Sequence, residues 1–287
     1  MGVKIIVTVK QVPDTHNVGA DAMKPDGTVN RGALPAIFNP EDLNALEEAL
    51  LLKERLGGTV TCITMGPPKA VEVLRECLYR GADEVLLVSD RKFAGADTLA
   101  TSYALKCAVE RIGEYDLVIC GRQAIDGDTA QVGPQLAEKL QINQISNVVS
   151  VVAADDTTLT ALRETESGSQ TVRSAYPVLL TVTDEANEPR VPSAKRVMAY
   201  KNIAVEKADD YDEAYLAGEN GMRKMIKVWD AAAIGADPDQ CGLAGSPTKV
   251  KGIESVVLAA HEAKQVPNTT EGITELVDEL TREHIIG

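Results

Sequence analysis

The stretch Asp116–Leu140 reads DLVICGRQAIDGDTAQVGPQLAEKL. It opens on a short apolar run, Leu117–Cys120, and closes on helical spacing over Gln131–Leu140. A buried strand that passes through a glycine-bearing loop into a helix is one step of a parallel, crossover-linked sheet. Gly121, Gly127 and Gly133 let the backbone approach a neighbour closely. Thr129 is placed to cap the helix and to offer its hydroxyl. The amides of Asp128–Gln131, at a helix start, form a cradle suited to a phosphate or an adenine edge. Asp126 and Asp128 would repel a phosphate and suit ribose hydroxyls or backbone amides instead. The spacing matches neither GxxxxGK[ST] nor GxGxxG. The residues alone therefore leave a nucleotide loop and a plain strand-to-helix turn both open.

The same rhythm runs back to the start of the chain. Strand-like runs at Val3–Val9, Val60–Met65 and Val85–Val88 alternate with helical spacing at Pro40–Leu56, Lys69–Tyr79 and Thr98–Ile112. Such alternation predicts an α/β fold: an open, mostly parallel sheet with helices on both faces, Rossmann-like in kind. In such sheets ligands bind beyond the C-terminal ends of the strands. Past Leu140 the pattern changes. Val148–Val152, Leu159–Glu164, Ser169–Val172 and Val178–Thr183 read as short strands of an antiparallel meander that extends the sheet. From Asp184 the signal weakens. Ala208–Gly221 is acidic and loop-like, Val228–Ile234 reads as a short helix, and Ile253–Ala263 and Thr270–Glu283 are amphipathic. The expected division is an α/β domain over 1–205 and a C-terminal arm over 206–287 that packs on another chain.

Composition narrows the function. Hydrophobic residues are 44% and charged residues 25% of 287, enough for a sizeable core in a soluble protein. A net charge of −14 argues against nucleic acid and against an anionic membrane surface. No apolar stretch reaches the length of a membrane span, and the N-terminus resembles neither a signal peptide nor a myristoylation site. The five cysteines are widely spaced, with no CxxC, and read as buried thiols in a reducing, cytoplasmic setting rather than as a metal site. Only three histidines occur, none in a metal-ligand pattern, so the chemistry is expected from a cofactor rather than from a catalytic side chain.

Four other segments reach the ligand edge, and each also reads as ordinary local structure. In KQVPDT, Lys10–Thr15, Pro13 stops the first strand and Asp14 and Thr15 offer hydrogen bonds; a plain turn explains it equally. Asn39 and Pro40 suit the N-cap and first position of a helix. Gly66, after Met65, permits close approach before Pro67 starts a helix. In FAGADT, Phe93–Thr98, either Asp97 or Thr98 would cap a helix. Thr101 and Ser102 are expected to face out of its first turn, where a flat polar ring could meet them.

Taken together, IIVTVKQVPDT, FNPEDLNALEEALLLKE, MGPPKA, RGADEVLLVSD and GRQAIDGDTAQVGP resemble electron-transfer flavoprotein β subunits in order and spacing. The segment Ala161–Thr181 also resembles that family, through Arg163, Glu166, Gly168, Gln170, Val172, Pro177, Leu179 and Leu180. Ser167 departs, where Gly or an acid is usual. NEPR at Asn187–Arg190, with Lys195 and Met198 downstream, extends the likeness to about residue 205.

The resemblance implies a nucleotide-binding α/β domain that works beside an α subunit carrying the electron-transferring FAD. It implies that this chain holds either AMP, as in the mitochondrial type, or a second FAD, as in the electron-bifurcating type. Family cofactor contacts correspond to Thr8, Lys10, Asn39, Met65 and the loop Gly121, Arg122, Gln123, Asp126, Gly127, Asp128, Thr129, Ala130, Gln131, Val132 and Gly133. VPDT, with Asp14, and FAGADTLATS, with Asp97, Thr98 and Thr101, resemble segments that border the isoalloxazine in the bifurcating type. The long C-terminal extension resembles that type too, which favours FAD over AMP. The implied activity is hydride transfer from NADH, with one electron passing to the α-subunit FAD and an acyl-CoA dehydrogenase-like partner. The other would reach a low-potential acceptor such as ferredoxin or flavodoxin. Arg122 is the candidate for stabilising an anionic flavin or meeting a nucleotide phosphate; a surface salt bridge is its bland alternative. Two competing readings are a scaffolding subunit that holds AMP, and a homodimeric ATP-binding sensor on the same general fold.

Overall fold

The computed structural model describes residues 2–14, 35–206, 226–248 and 265–286. Thr15, the acidic stretch 208–221 and the amphipathic stretch 253–263 lie outside these residues.

The chain begins with β1 (Val3–Thr8) and a small antiparallel pair, β2 (Gln11–Pro13) with β3 (Ala36–Phe38). Then come α1 (Pro40–Leu56), β4 (Gly58–Met65), α2 (Val71–Arg80), β5 (Glu84–Val88), α3 (Thr98–Ile112), β6 (Leu117–Gly121) and α4 (Val132–Leu140). The remainder supplies β7 (Asn143–Ala154), β8 (Thr158–Thr165), β9 (Gly168–Ala175), β10 (Val178–Val182), α5 (Ala194–Tyr200), β11 (Lys227–Trp229) and α6 (Thr270–Arg282). Among the described residues, nine strands form one sheet in the order β11-β5-β4-β1-β6-β10-β7-β8-β9. All neighbours from β11 to β7 are parallel, while β7–β8 and β8–β9 are antiparallel. The α/β architecture expected from the alternating pattern is present.

Strand periodicity sorts the core into two layers. Val3, Ile5 and Val7 of β1 pack with Leu46 and Leu50 of α1 and Leu74 of α2 on one face. Ile6, one step out of phase, packs with Ala104 and Leu105 of α3 and Leu136 of α4 on the other. Helix α1 suits its place: Pro40 opens it, Glu41 and Asp42 stand in the first turn, and Lys53 and Arg55 stand in the last.

The connections create a crevice. From β1 the chain crosses through α1 to β4 on one side, then from β5 through α3 to β6 on the other. The C-terminal ends of β1 and β6 are therefore the point where the winding reverses, the place where open α/β sheets bind ligands.

Two expectations are corrected. The meander comprises β7, β8 and β9 only; β10 runs parallel between β6 and β7. Its residues, VLLTV, are buried throughout, which is the pattern of an interior parallel strand covered on both faces. Val228–Ile234 is not a helix: Lys227–Trp229 adds β11 to the edge of the sheet at β5. The open hydrogen-bonding edge of β5 captures the segment, and the Ser89 N–H donates to the Trp229 carbonyl at 2.9 Å. The 270–283 stretch is the helix α6, with Thr269 Oγ1 accepting from the Gly272 N–H.

Candidate functional site

At the C-terminal edge of the sheet lies a cavity of about 860 Å³. It opens over the switch point, between two walls. One is the loop Gly121–Gly133; the other is the segment Ser89–Thr101, with Leu105 behind it. The ends of β1 and β4 form the floor through Thr8, Val9, Lys10, Met65 and Gly66.

The first wall is anchored by the N-terminus of α1. Asp42 is buried and spans the crevice, accepting from the Lys10 N–H at 2.8 Å and from the Gly121 N–H at 3.0 Å. Burial pushes its carboxyl up to about 7, against hydrogen bonds from Asn39, Gly121 and Lys10 that pull it down. Glu41 accepts from the Gln123 N–H at 2.7 Å and pairs with the Arg122 guanidinium at 2.8 Å. Asn39 spends both polar ends on the loop: its Nδ2 donates to the Gln123 carbonyl at 2.8 Å, and its Oδ1 accepts from the Ile125 N–H at 3.1 Å. It stands at the N-cap position but makes no side-chain cap.

Farther along, the loop is shaped for polar recognition. Asp128 and Ala130 take left-handed backbone angles, φ 49° and 50°. Alternating handedness curves the backbone and gathers N–H groups into a concave anion site. The Thr129, Ala130 and Gln131 N–H groups donate to no backbone carbonyl of the described residues. They lie where α4 begins, so the positive end of that helix adds to the site. Asp126, expected to repel phosphate, is paired with Lys10 Nζ at 2.7 Å, and Asp128 Oδ1 accepts from Gln123 Nε2 at 3.2 Å. Gly133 is required: a Cβ there would lie 2.7 Å from the Thr181 side chain.

The second wall is less polar. Phe93, Ala94, Gly95 and Ala96 lead to Asp97, which caps α3 by accepting from the Leu99 and Ala100 N–H groups at 2.9 and 3.0 Å. The two walls meet where Thr98 Oγ1 donates to Gln131 Oε1 at 2.9 Å.

The cavity thus brings together Thr8, Lys10, Met65, Gly66, Asp97, Thr98, Thr101 and the loop residues Gly121, Arg122, Gln123, Asp126, Gly127, Asp128, Thr129, Ala130, Gln131, Val132 and Gly133. It does not include Asp14, buried beside the β2–β3 pair, or Asn39. Thr129 makes no cap, because α4 starts later, with Gln131 at its N-cap position. Ser102 does not face a ligand: it is fully buried, and its hydroxyl oxygen lies 2.9 Å from the Leu99 carbonyl and 3.2 Å from Gln135 Oε1, with one proton to share between them. Sequence reasoning missed Asp42, Ser89, Asp90 and Cys120. Asp42 carried a usable sign, a second acid in a helix start that caps nothing.

All five cysteines are buried and free. Among the described residues no group of three or more His, Cys, Asp or Glu is placed to hold a metal, and no helix is long and apolar enough to cross a membrane.

Comparison with known proteins identifies the family. The electron transfer flavoprotein domain matches residues 26–213. The electron transfer flavoprotein subunit beta of Thermoanaerobacterium thermosaccharolyticum is 42% identical over 282 residues, covering 98% of this chain and 99% of the relative. Subunit CarD of the caffeyl-CoA reductase-Etf complex of Acetobacterium woodii is 40% identical over 285 residues, covering 99% and 100%. Protein FixA of Rhizobium meliloti is 39% identical over 283 residues, covering 96% and 89%. A domain match over most of the chain and full-length relatives at this identity show that the chain belongs to the electron transfer flavoprotein family as a β subunit, which implies an α-subunit partner.

Proposed function

We propose that this chain binds FAD in the cavity between Gly121–Gly133 and Ser89–Thr101. In the complex with its α subunit, it would take electrons from NADH and divide them between the α-subunit FAD and a low-potential acceptor such as ferredoxin or flavodoxin. The observation that carries this reading is the span of the cavity lining, from the loop Gly121–Gly133 across to Ser89–Thr101 and Leu105. AMP needs only the concave turn at Asp128–Gln131 and the floor at Met65–Gly66. The cavity continues past them to an apolar wall of Phe93, Ala94, Ala96 and Leu105, the surface a flat ring system would cover.

The residues present fit the group. N–H groups at the start of α4 that donate to no backbone carbonyl of the described residues suit a pyrophosphate, and Thr98, Thr101 and Arg122 place polar groups along the rest of the cavity. Bound FAD would supply the exchange between two-electron and one-electron chemistry. The chain's own part is to hold, orient and shield. Asp42 and Glu41 fix the loop, and Asn39 ties its far end. Glu41 holds the Arg122 guanidinium beside the cavity as a positive charge. Relatives whose names place them in acyl-CoA reductase complexes support an acyl-CoA dehydrogenase-like partner for the other electron path. Buried free thiols support a reducing compartment, and we place the complex in the cytoplasm. The exposed apolar side chains Ile273 and Val277 on α6 support an arm that grips the α subunit.

A flavin and nucleotide count on the co-purified heterodimer, after acid release, tests the reading. Two FAD per heterodimer is the expected result. One FAD with one AMP would make this chain a structural nucleotide holder and overturn the proposal.

A further inference from the structure

The wall Ser89–Thr101 has no helix N-terminus clamping it from within the α/β crossover pattern, as the first wall has. Its support comes from far along the chain. Strand β11 pairs with β5, Lys227 opposite Leu86 and Trp229 opposite Val88. Beyond it, the Ala231 N–H donates to Asp90 Oδ2 at 3.1 Å. Cys241, Ala231 and Ile234 are buried in the same core cluster as Phe93. Gly242 packs its backbone against the wall so closely that a Cβ would lie 2.2 Å from the Lys92 carbonyl oxygen. Its φ of 52° also disfavours any side chain there. Across the contact, a Cβ on Gly95 would lie 2.7 Å from Leu243 Cγ.

The contact ends on one carboxylate. Asp97 Oδ1 caps α3, while Asp97 Oδ2 accepts from the Thr248 N–H at 3.1 Å and from Thr248 Oγ1 at 2.7 Å. The Asp97 N–H donates to Ser246 Oγ at 2.9 Å, and that hydroxyl donates to the Gly242 carbonyl at 2.6 Å. Burial would raise the Asp97 carboxyl, but hydrogen bonds from Ala100, Thr248 and Leu99 outweigh it and hold the group below its ordinary value, so it stays a charged acceptor. No residue of 226–248 lines the cavity. The segment therefore meets the wall from outside the cavity.

We infer that residues 226–248 splint the Ser89–Thr101 wall from behind, with Asp97 as the positioning residue, and so decide that the cavity takes a flavin dinucleotide rather than a mononucleotide alone. This rests on the FAD reading above. The loop that carries the concave turn at Asp128–Gln131 is anchored by Asn39, Glu41 and Asp42, and it meets the splinted wall through the Thr98–Gln131 hydrogen bond. Loosening the splint therefore weakens the end of the cavity that meets the rings and leaves the phosphate end intact.

The test uses the heterodimer with its α subunit, emptied of nucleotide and flavin and titrated separately with FAD and with AMP. The variant is Ser246→Ala with Thr248→Val; both positions lie on this chain and outside the cavity. A lost hydrogen bond to a charged group predicts roughly tenfold weaker FAD binding, with AMP binding unchanged. Thr248→Ser, which keeps the hydroxyl, should bind both as wild type does. Gly242→Ala, which drives the backbones apart, should lose more FAD affinity than the double variant. Equal losses of FAD and AMP, or no loss of either, would overturn the inference. A wild-type heterodimer whose site on this chain takes AMP and no FAD would instead overturn the FAD reading, whatever the variants do.

Discussion

The loop Gly121–Gly133 and the segment Ser89–Thr101 face each other across one cavity, yet they are held in different ways. The first is clamped by three side chains around the start of α1, Asn39, Glu41 and Asp42. The second is capped locally by Asp97 and splinted by a segment about 140 residues away in sequence, residues 226–248. The difference follows from topology. The N-terminus of α1 arrives at the switch point because α1 is the crossover helix between β1 and β4, so this clamp belongs to the first crossover of the sheet. The end of β5 is next to the sheet edge, where only an added strand can bring a second support. One wall is thus part of the domain's basic winding, and the other depends on its extension.

The sharpest way to break the first clamp is Gly121→Val. A Cβ at Gly121 would lie 2.5 Å from Asp42 Oδ1 and 2.8 Å from the Asp42 backbone nitrogen. Overpacking against backbone predicts a loss of about 3 kcal/mol, read by urea unfolding. An unchanged midpoint would mean that Asp42 can leave the crevice freely and that the clamp is not a clamp. Next comes Glu41→Ala. It frees Arg122 and leaves the Gln123 N–H without its acceptor, and about 2 kcal/mol of stability should be lost. AMP and FAD binding should fall together here, in contrast to the selective effect of loosening residues 246 and 248. If Glu41→Ala weakened FAD alone, the two walls would not be independently held.

The smallest expected effect is on pH dependence. Asp42 in the folded chain titrates near 7, well above its ordinary value. Between about pH 4 and pH 7 the unfolded chain releases this proton while the folded chain keeps it, so stability falls as pH rises through that window. Asp42→Asn cannot ionise and should flatten the slope by up to about 1.4 kcal/mol per pH unit. The slope, not the absolute stability, is the readout, because the new amide must face backbone N–H groups. A slope identical to wild type would show that the carboxyl titrates normally despite its burial.

The first wall was largely legible in advance. Its glycines, its strand-to-helix setting and its polar turn are consecutive residues, and local chemistry limits what they can form. Asn39 was legible as a helix-start residue but not as a staple on residues 123–125, because capping and long-range bonding use the same side-chain groups. Ser102 and Thr129 show the same limit. Both carry hydroxyls at helix starts, and only the packing of α4 against α3 buries one and leaves the other in the cavity. The second wall was legible as a segment, FAGADT, but not as a supported one.

Sequence periodicity alone determined the layered α/β core, the crossover helices and the edge at which a ligand would sit, since those follow from which residues must leave water. It also determined the family, through motifs carried in order along the chain. Tertiary structure decided what no local pattern encodes. It placed β10 between β6 and β7, turned residues 227–229 into a strand, and brought Asp97 to Thr248. Each of these is a choice among partners distant in sequence, and such choices depend on which edges and surfaces the rest of the fold leaves open.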